Sequence, residues 1–150
     1  MSVTIQPDIW ALTKHLEGNH EAQECYLNLH FPLEYEVDAE GNATPTGYRV
    51  GFPGLNVSNT NFRALWEVLK FTIPFDTCGK YPAKLLFDHV IMALVTLEDD
   101  IGTKDVVHNP TGQVTVIECG RPPGYIQERL TQLKKIAIRA MDMEVGIVWS

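Results

Sequence analysis

The chain has 150 residues, 45% hydrophobic and 21% charged, which is a globular composition at the size of one domain. No run approaches the roughly 18 apolar residues of a membrane span. Residues 1–10 lack the basic start and apolar stretch of a secretory signal, so a cytoplasmic protein with no membrane partner is expected. The net charge of −7 arises wholly in residues 1–48, where Lys14 stands against Asp8, Glu17, Glu21, Glu24, Glu34, Glu36, Asp38 and Glu40. Phosphate backbones are bound by clustered Lys and Arg, so nucleic-acid binding is excluded as an expectation. An acidic face of this kind suits a basic protein surface, although solubility alone explains it.

In chain order, Ile9, Leu12 and Leu16 recur at helical spacing after Pro7-Asp8, which predicts a short helix over 8–17 stopped by Gly18-Asn19. Next, Leu27, Leu29, Phe31, Leu33, Tyr35 and Val37 alternate with polar residues and Pro32. That is the pattern of a half-buried strand over 27–38, either an edge strand or one broken at Pro32. After a loop holding Gly41-Asn42 and Pro45-Thr46-Gly47, Tyr48, Val50 and Phe52 complete an expected long-looped β-hairpin. Phe62, Leu65, Trp66 and Leu69 form the core stripe of a first long helix, with Arg63 and Glu67 paired outside. Residues 82–97 are apolar nearly all round, which predicts the central buried helix. In a third helix, over about 123–143, Ile126, Leu130, Leu133, Ala137, Ala140 and Met141 face inward, with Arg129, Lys134, Lys135 and Arg139 mostly outside. Between those two helices a second hairpin is expected over 106–119, turning at Asn109-Pro110-Thr111-Gly112; residues 146–149 dock as a last strand. The fold class is therefore α+β: a small, mainly antiparallel sheet against about three main helices, with a short N-terminal helix, in one domain over 1–150.

Cys25, Cys78 and Cys119 form no CxxC pair and read as free, mostly buried thiols in a reducing compartment. His15, His20, Cys25 and His30 recur every five residues. Five residues turn a helix by about 500° and reverse strand faces, so these side chains diverge and no metal is expected. His89, on the helix over 82–97, reads as a hydrogen-bonded core histidine. Glu98-Asp99-Asp100 does not fit a calcium loop and reads as a solvated run. Nucleotide-loop, nucleophile-elbow and zinc-protease signatures are absent, and no cofactor is expected.

Two segments stand out. The run Asn56-Val57-Ser58-Asn59-Thr60-Asn61 offers five cap-forming side chains where one helix start needs one. The surplus, with Arg63, suits a polar or anionic ligand at the positive end of a helix. The other segment is Cys119-Gly120-Arg121-Pro122-Pro123-Gly124-Tyr125. It lacks the Cys-x5-Arg spacing of a phosphatase loop, and its prolines remove two N–H donors, so it reads chiefly as punctuation before a helix, with Arg121 and Tyr125 as the side chains able to bind.

Together these motifs, "N-x-S-N-x-N-x-R" at 56–63 and "C-G-R-x-x-G-Y" at 119–125 with a Val148-Trp149 ending, resemble a family of small uncharacterised proteins of bacteria and their phages. The resemblance covers residues 54–150; it implies a bacterial or phage source and carries no activity with it. The expected function is a non-enzymatic binding module for a small polar ligand or a protein partner. Its site is Asn59, Asn61 and Arg63 meeting Arg121 and Tyr125. The alternatives are a hydrolase or transferase using His89, His108 or Cys119, and an assembly protein forming a homo-oligomer.

Overall fold

A computed structural model describes residues 2–108, 116–118 and 120–150. Its main sheet joins both ends of the chain. β1 (Ser2–Pro7) pairs antiparallel with β4 (Leu55–Ser58) on one side, Val3 opposite Val57. On the other side it pairs with β8 (Ile147–Trp149), Ile5 opposite Trp149, and β5 (Gly79–Tyr81) closes the order β4-β1-β8-β5. Alternation along each strand sends Val3, Ile5, Leu55, Val57, Ile147 and Trp149 to a single buried face. The opposite face is polar apart from Val148, and on it Asn56 Nδ2 donates to Thr4 Oγ1 at 3.0 Å.

Two helices lie on the apolar face: α3 (Asn59–Leu69), and α5 (Tyr125–Asp142), whose Leu130, Ala137 and Ala140 are wholly buried. α4 (Ala83–Thr96) packs against both from outside. The structure thus corrects the expectation that the most apolar helix is the central one. α4 buries Ala83, Leu86, Val90 and Ala93 but leaves Leu85, Met92 and Val95 in water, the last at 78% exposure. An amphipathic helix, α5, holds the centre instead, because its stripe is the one that faces both the sheet and α4. The expected Arg63–Glu67 pair is also replaced: the Arg63 guanidinium lies 4.9 Å from the centre of the Phe75 ring.

The first third departs furthest from expectation. Residues 8–17 shorten to α1 (Ile9–Leu12) and one 3₁₀ turn (Lys14–Leu16). The strand expected over 27–38 divides: α2 (His20–His30) takes its first part and β2 (Leu33–Val37) the rest. Asn19 starts α2 by accepting the Ala22 N–H at 3.0 Å. Leu27 enters a second apolar cluster with Ile9 and Phe52, while Leu29 points to water. Alternation that ran across a helix end had imitated a strand. The hairpin is also tighter than expected, since β3 (Ala43–Arg49) includes Pro45 and Thr46 and the turn spans 38–42. In that turn Asp38 accepts the Glu40 and Asn42 N–H groups.

The closing strand and the second hairpin are as expected, the latter pairing β6 (Val106–His108) with β7 (Val116–Glu118). Its turn at Asn109-Pro110-Thr111-Gly112 lies outside the described residues. No helix among the described residues is long and apolar enough to cross a membrane.

Candidate functional site

The five polar side chains before and within the start of α3 divide their work. Ser58 is the cap, its Oγ accepting the Asn61 N–H at 3.3 Å. Asn56 is held by Thr4 across the sheet. Asn61 Nδ2 reaches the start of α5 and donates to the Tyr125 hydroxyl at 3.2 Å. The two helix starts singled out by sequence therefore touch at this bond. Asn59 and Arg63, one helical turn apart, face away from it. With Thr60, Phe75 and Thr77 they line a shallow cleft of about 420 Å³.

Tyr125 is also covered by Arg129, whose guanidinium lies 4.7 Å from the ring centre, a cation–π contact between side chains one turn apart on α5. Arg129 Nη1 donates to Gln132 Oε1 at 2.8 Å, and Gln132 Nε2 donates to Glu128 at 3.2 Å. A second cleft of about 400 Å³ opens between Arg129, Gln132 and Lys135 on α5 and residues 53–56 leading into β4. Lys135 and Arg129 make it cationic, in a protein of net charge −7. Sequence reasoning missed both cations as site residues, because helical spacing assigns them to an outer face and says nothing of what lies across from it.

Arg121 stands apart. It is fixed through its backbone, which exchanges 2.8 Å hydrogen bonds with Thr103 and takes a further 3.0 Å bond to Thr103 Oγ1. Its Nε is shielded and without a partner. The structure brings Asn61 and Tyr125 together, places Asn59 and Arg63 in one cleft, and leaves Arg121 in neither.

Asp100 is not the solvated charge expected from Glu98-Asp99-Asp100. The cap position of α5 is Gly124, which has no side chain to fill it. Asp100 supplies the cap from across the fold: Oδ2 accepts the Ile126 N–H at 2.9 Å, and Oδ1 accepts the Gly102 N–H at 3.0 Å. A missing cap was visible at Gly124, but no local signal named the residue 24 positions away that replaces it.

The other candidates are quickly placed. His89 Nε2 meets the Tyr81 hydroxyl at 3.1 Å, and its ring stands edge-on to Phe71, the satisfied histidine read from sequence. The side chain of His108 and all of Cys119 lie outside what the structure describes. His15 meets Tyr26 edge-on and His30 packs tilted against the same ring, and no group of three potential metal ligands converges among the described residues. Cys25 and Cys78 are free but exposed, not buried as expected. An apolar void of about 20 Å³ between Ile5, Phe62, Trp66, Leu133 and Trp149 has room for no more than a water and offers it no hydrogen bond. Compared with family models, curated proteins and solved structures, the chain matches none.

Proposed function

We propose that the chain is a non-enzymatic binding module that holds a small polar, anionic molecule at the joined starts of α3 and α5. One observation carries this reading. Among the described residues, the shielded side-chain polar atoms without partners are Asn59 Oδ1, Arg121 Nε, Gln127 Oε1 and Arg129 Nε, and all but that of Arg121 belong to the opening turns of these two helices. Folded proteins satisfy roughly nine-tenths of such atoms, and each one left alone costs about 1–3 kcal/mol. A cluster of them marks a place where something from solution completes the bonding. Asn59 Oδ1 and Gln127 Oε1 are acceptors and Arg129 Nε is a guanidinium donor, so the molecule they suit carries both an N–H or O–H group and an anionic oxygen. The neighbouring cations Arg63, Arg129 and Lys135 favour the same charge. The two exposed free thiols support a reducing, cytoplasmic setting.

Native mass spectrometry of the purified chain, followed by thermal-shift titration with inorganic phosphate, amino acids and nucleotides, tests this. The expected result is retained or added ligand whose affinity falls about 10- to 100-fold in Arg129→Gln, the loss of a charge-assisted bond. A ligand-free protein that none of these compounds stabilises sinks the reading.

A second reading, homo-oligomeric assembly, rests on α4. Its exposed Leu85, Met92 and Val95 form a stripe between Lys84 at one end and Glu98-Asp99 beyond the other. An antiparallel second copy places Lys84 against Glu98-Asp99 on each side, the self-complementary arrangement a two-fold axis requires. Sedimentation of the wild type as a dimer that Met92→Glu converts to monomer supports it; a wild-type monomer at high concentration removes it.

A further inference from the structure

A cleft of about 340 Å³ lies where the end of β1, α1, the 3₁₀ turn and α2 meet Lys80 of β5. It shares no residue with the clefts at α3 and α5. Two of its polar side chains are more than nine-tenths buried, Asp8 at 8% and Gln23 at 7% exposure. Asp8 holds the position that caps a helix, yet its side chain makes no cap bond to α1. Its Oδ2 instead accepts from Lys80 Nζ at 2.9 Å, an ion pair that reaches across β8. Gln23 Nε2 donates to the buried Thr13 O at 3.3 Å, which fixes the amide and leaves Oε1 as its free acceptor. Among the described residues nothing donates to Asp8 Oδ1 or to Gln23 Oε1, and neither atom is sealed from solvent. Trp10, 51% exposed, lines the same cleft. Among the described residues no ring or cation packs on its indole, and no acceptor takes its N–H.

We infer that this cleft binds a neutral polyhydroxyl molecule, a carbohydrate of monosaccharide size. Charge decides the class. Asp8 and Glu17 stand against Lys14 and Lys80, so the cleft is neutral within the acidic first third of the chain. An anion meets two carboxylates there and a cation meets two ammonium groups. A zwitterionic amino acid has to bring its ammonium beside Lys80 to reach Asp8. Hydroxyl groups fit without that conflict, because each one both donates and accepts. They donate to Asp8 Oδ1 and Gln23 Oε1, and they accept from the two N–H groups of Lys80 Nζ that Asp8 leaves free. The C–H groups of a sugar ring carry slight positive charge and suit the negative face of the Trp10 indole. Lys80 and Thr13 already hold the two acceptors in place, so binding costs little further ordering. The volume lies at the lower end of the roughly 300–1,000 Å³ of ligand clefts, which suits one small molecule rather than a chain.

The site is separate from the α3–α5 clefts, so this proposal stands or falls independently of the anionic-ligand reading. The test is NMR titration of the full chain with glucose, galactose, mannose and N-acetylglucosamine, beside glycine, choline and inorganic phosphate. Trp66 and Trp149 are buried, and the indole N–H signal lost in Trp10→Ala identifies that of Trp10. The expected result is saturable movement of this signal, and of the amides of Asp8 and Gln23, with at least one of the sugars. Glycine, choline and phosphate leave these signals in place. Affinity drops about tenfold or more in Trp10→Ala and in Gln23→Leu, and less in Trp10→Phe, which keeps an aromatic face. Thermal melting of Trp10→Ala stays close to that of the wild type, because half of the residue is already solvated. Gln23→Leu loses its bond to Thr13, so its binding is read well below its own melting temperature. No saturable shift with any sugar, binding indifferent to Trp10→Ala, shifts centred on α3 and α5, or equal binding of glycine or choline overturns the proposal.

Discussion

The body and the arm of this protein are built on opposite principles. In the body, strands from the two ends of the chain lie side by side and close over α3 and α5, so that Trp149 packs against Phe62 and Trp66 and donates its indole N–H to Asp76 O at 3.0 Å. Its stability is apolar, long-range and shared among many side chains. The arm formed by β2 and β3 has almost no core. It is shaped by Asp38 in its turn, secured by Arg49 at its base, and surrounded by most of the negative charge nearby. The contrast teaches where each kind of substitution will be felt: the body resists loss of charge and fails on loss of volume, and the arm behaves in the reverse way.

The largest effect is expected in the body. Trp149→Ala removes a buried ring, its aromatic neighbours and one hydrogen bond, and should cost about 3–5 kcal/mol in urea denaturation. Tyr35→Ala on the arm, by the same measurement, should stay within about 0.5 kcal/mol. Equal losses would erase the distinction. Next comes Asp100→Ala, which uncaps α5 and leaves the Ile126 and Gly102 N–H groups without their acceptor. About 1–2 kcal/mol is expected, with only part of it restored by Asn, whose single carbonyl oxygen can accept one of the two N–H groups. Third, Arg49→Met should lower global stability by about 1 kcal/mol or less, since Glu24 is half exposed and screened, while amide exchange in β2 and β3 rises well above that in β1. A parallel rise in both would mean that arm and body unfold as one.

The smallest effect concerns pH. Hydrogen bonds from the Asn42 side chain and backbone, with lesser ones from Glu40 and Gly41, hold the Asp38 carboxyl below its ordinary value, outweighing a slight desolvation. Folded Asp38 thus binds its proton less readily than unfolded Asp38. The turn is fully supported above the unfolded carboxyl pKa and loses that support as pH falls through the lower, folded one. Amide shifts of Glu40 and Asn42 should move together in that acidic window, and Asp38→Asn should abolish the movement. Shifts that persist in the variant would assign the titration to another group.

Legibility in the sequence followed the same divide. The stripe Phe62, Leu65, Trp66, Leu69 and the inward set of α5 were plain, because a one-sided apolar helix has a single way to meet a core. Leu27 to Val37 misled, because period two across Pro32 is shared by a helix end and the strand that follows it. β1 and β4 passed unread: six and four residues with two apolar positions apiece on the core face leave little periodicity to detect. At the candidate site, Asn61 and Tyr125 were legible as neighbours-to-be, whereas Arg129 and Lys135 were legible only as members of an outer face.

By itself, then, the sequence determined the α+β class, the acidic first third, the long helices and the two helix starts rich in polar groups. These follow from composition and from contacts within a few residues of one another. Only the tertiary structure decided that α5 and not α4 is central, that Asp100 caps a helix across the fold, and that Asn61 reaches Tyr125 while the backbone of Arg121 is tied to Thr103. Each of those joins residues tens of positions apart, and no local period records which side of a helix or strand its distant partner will cover.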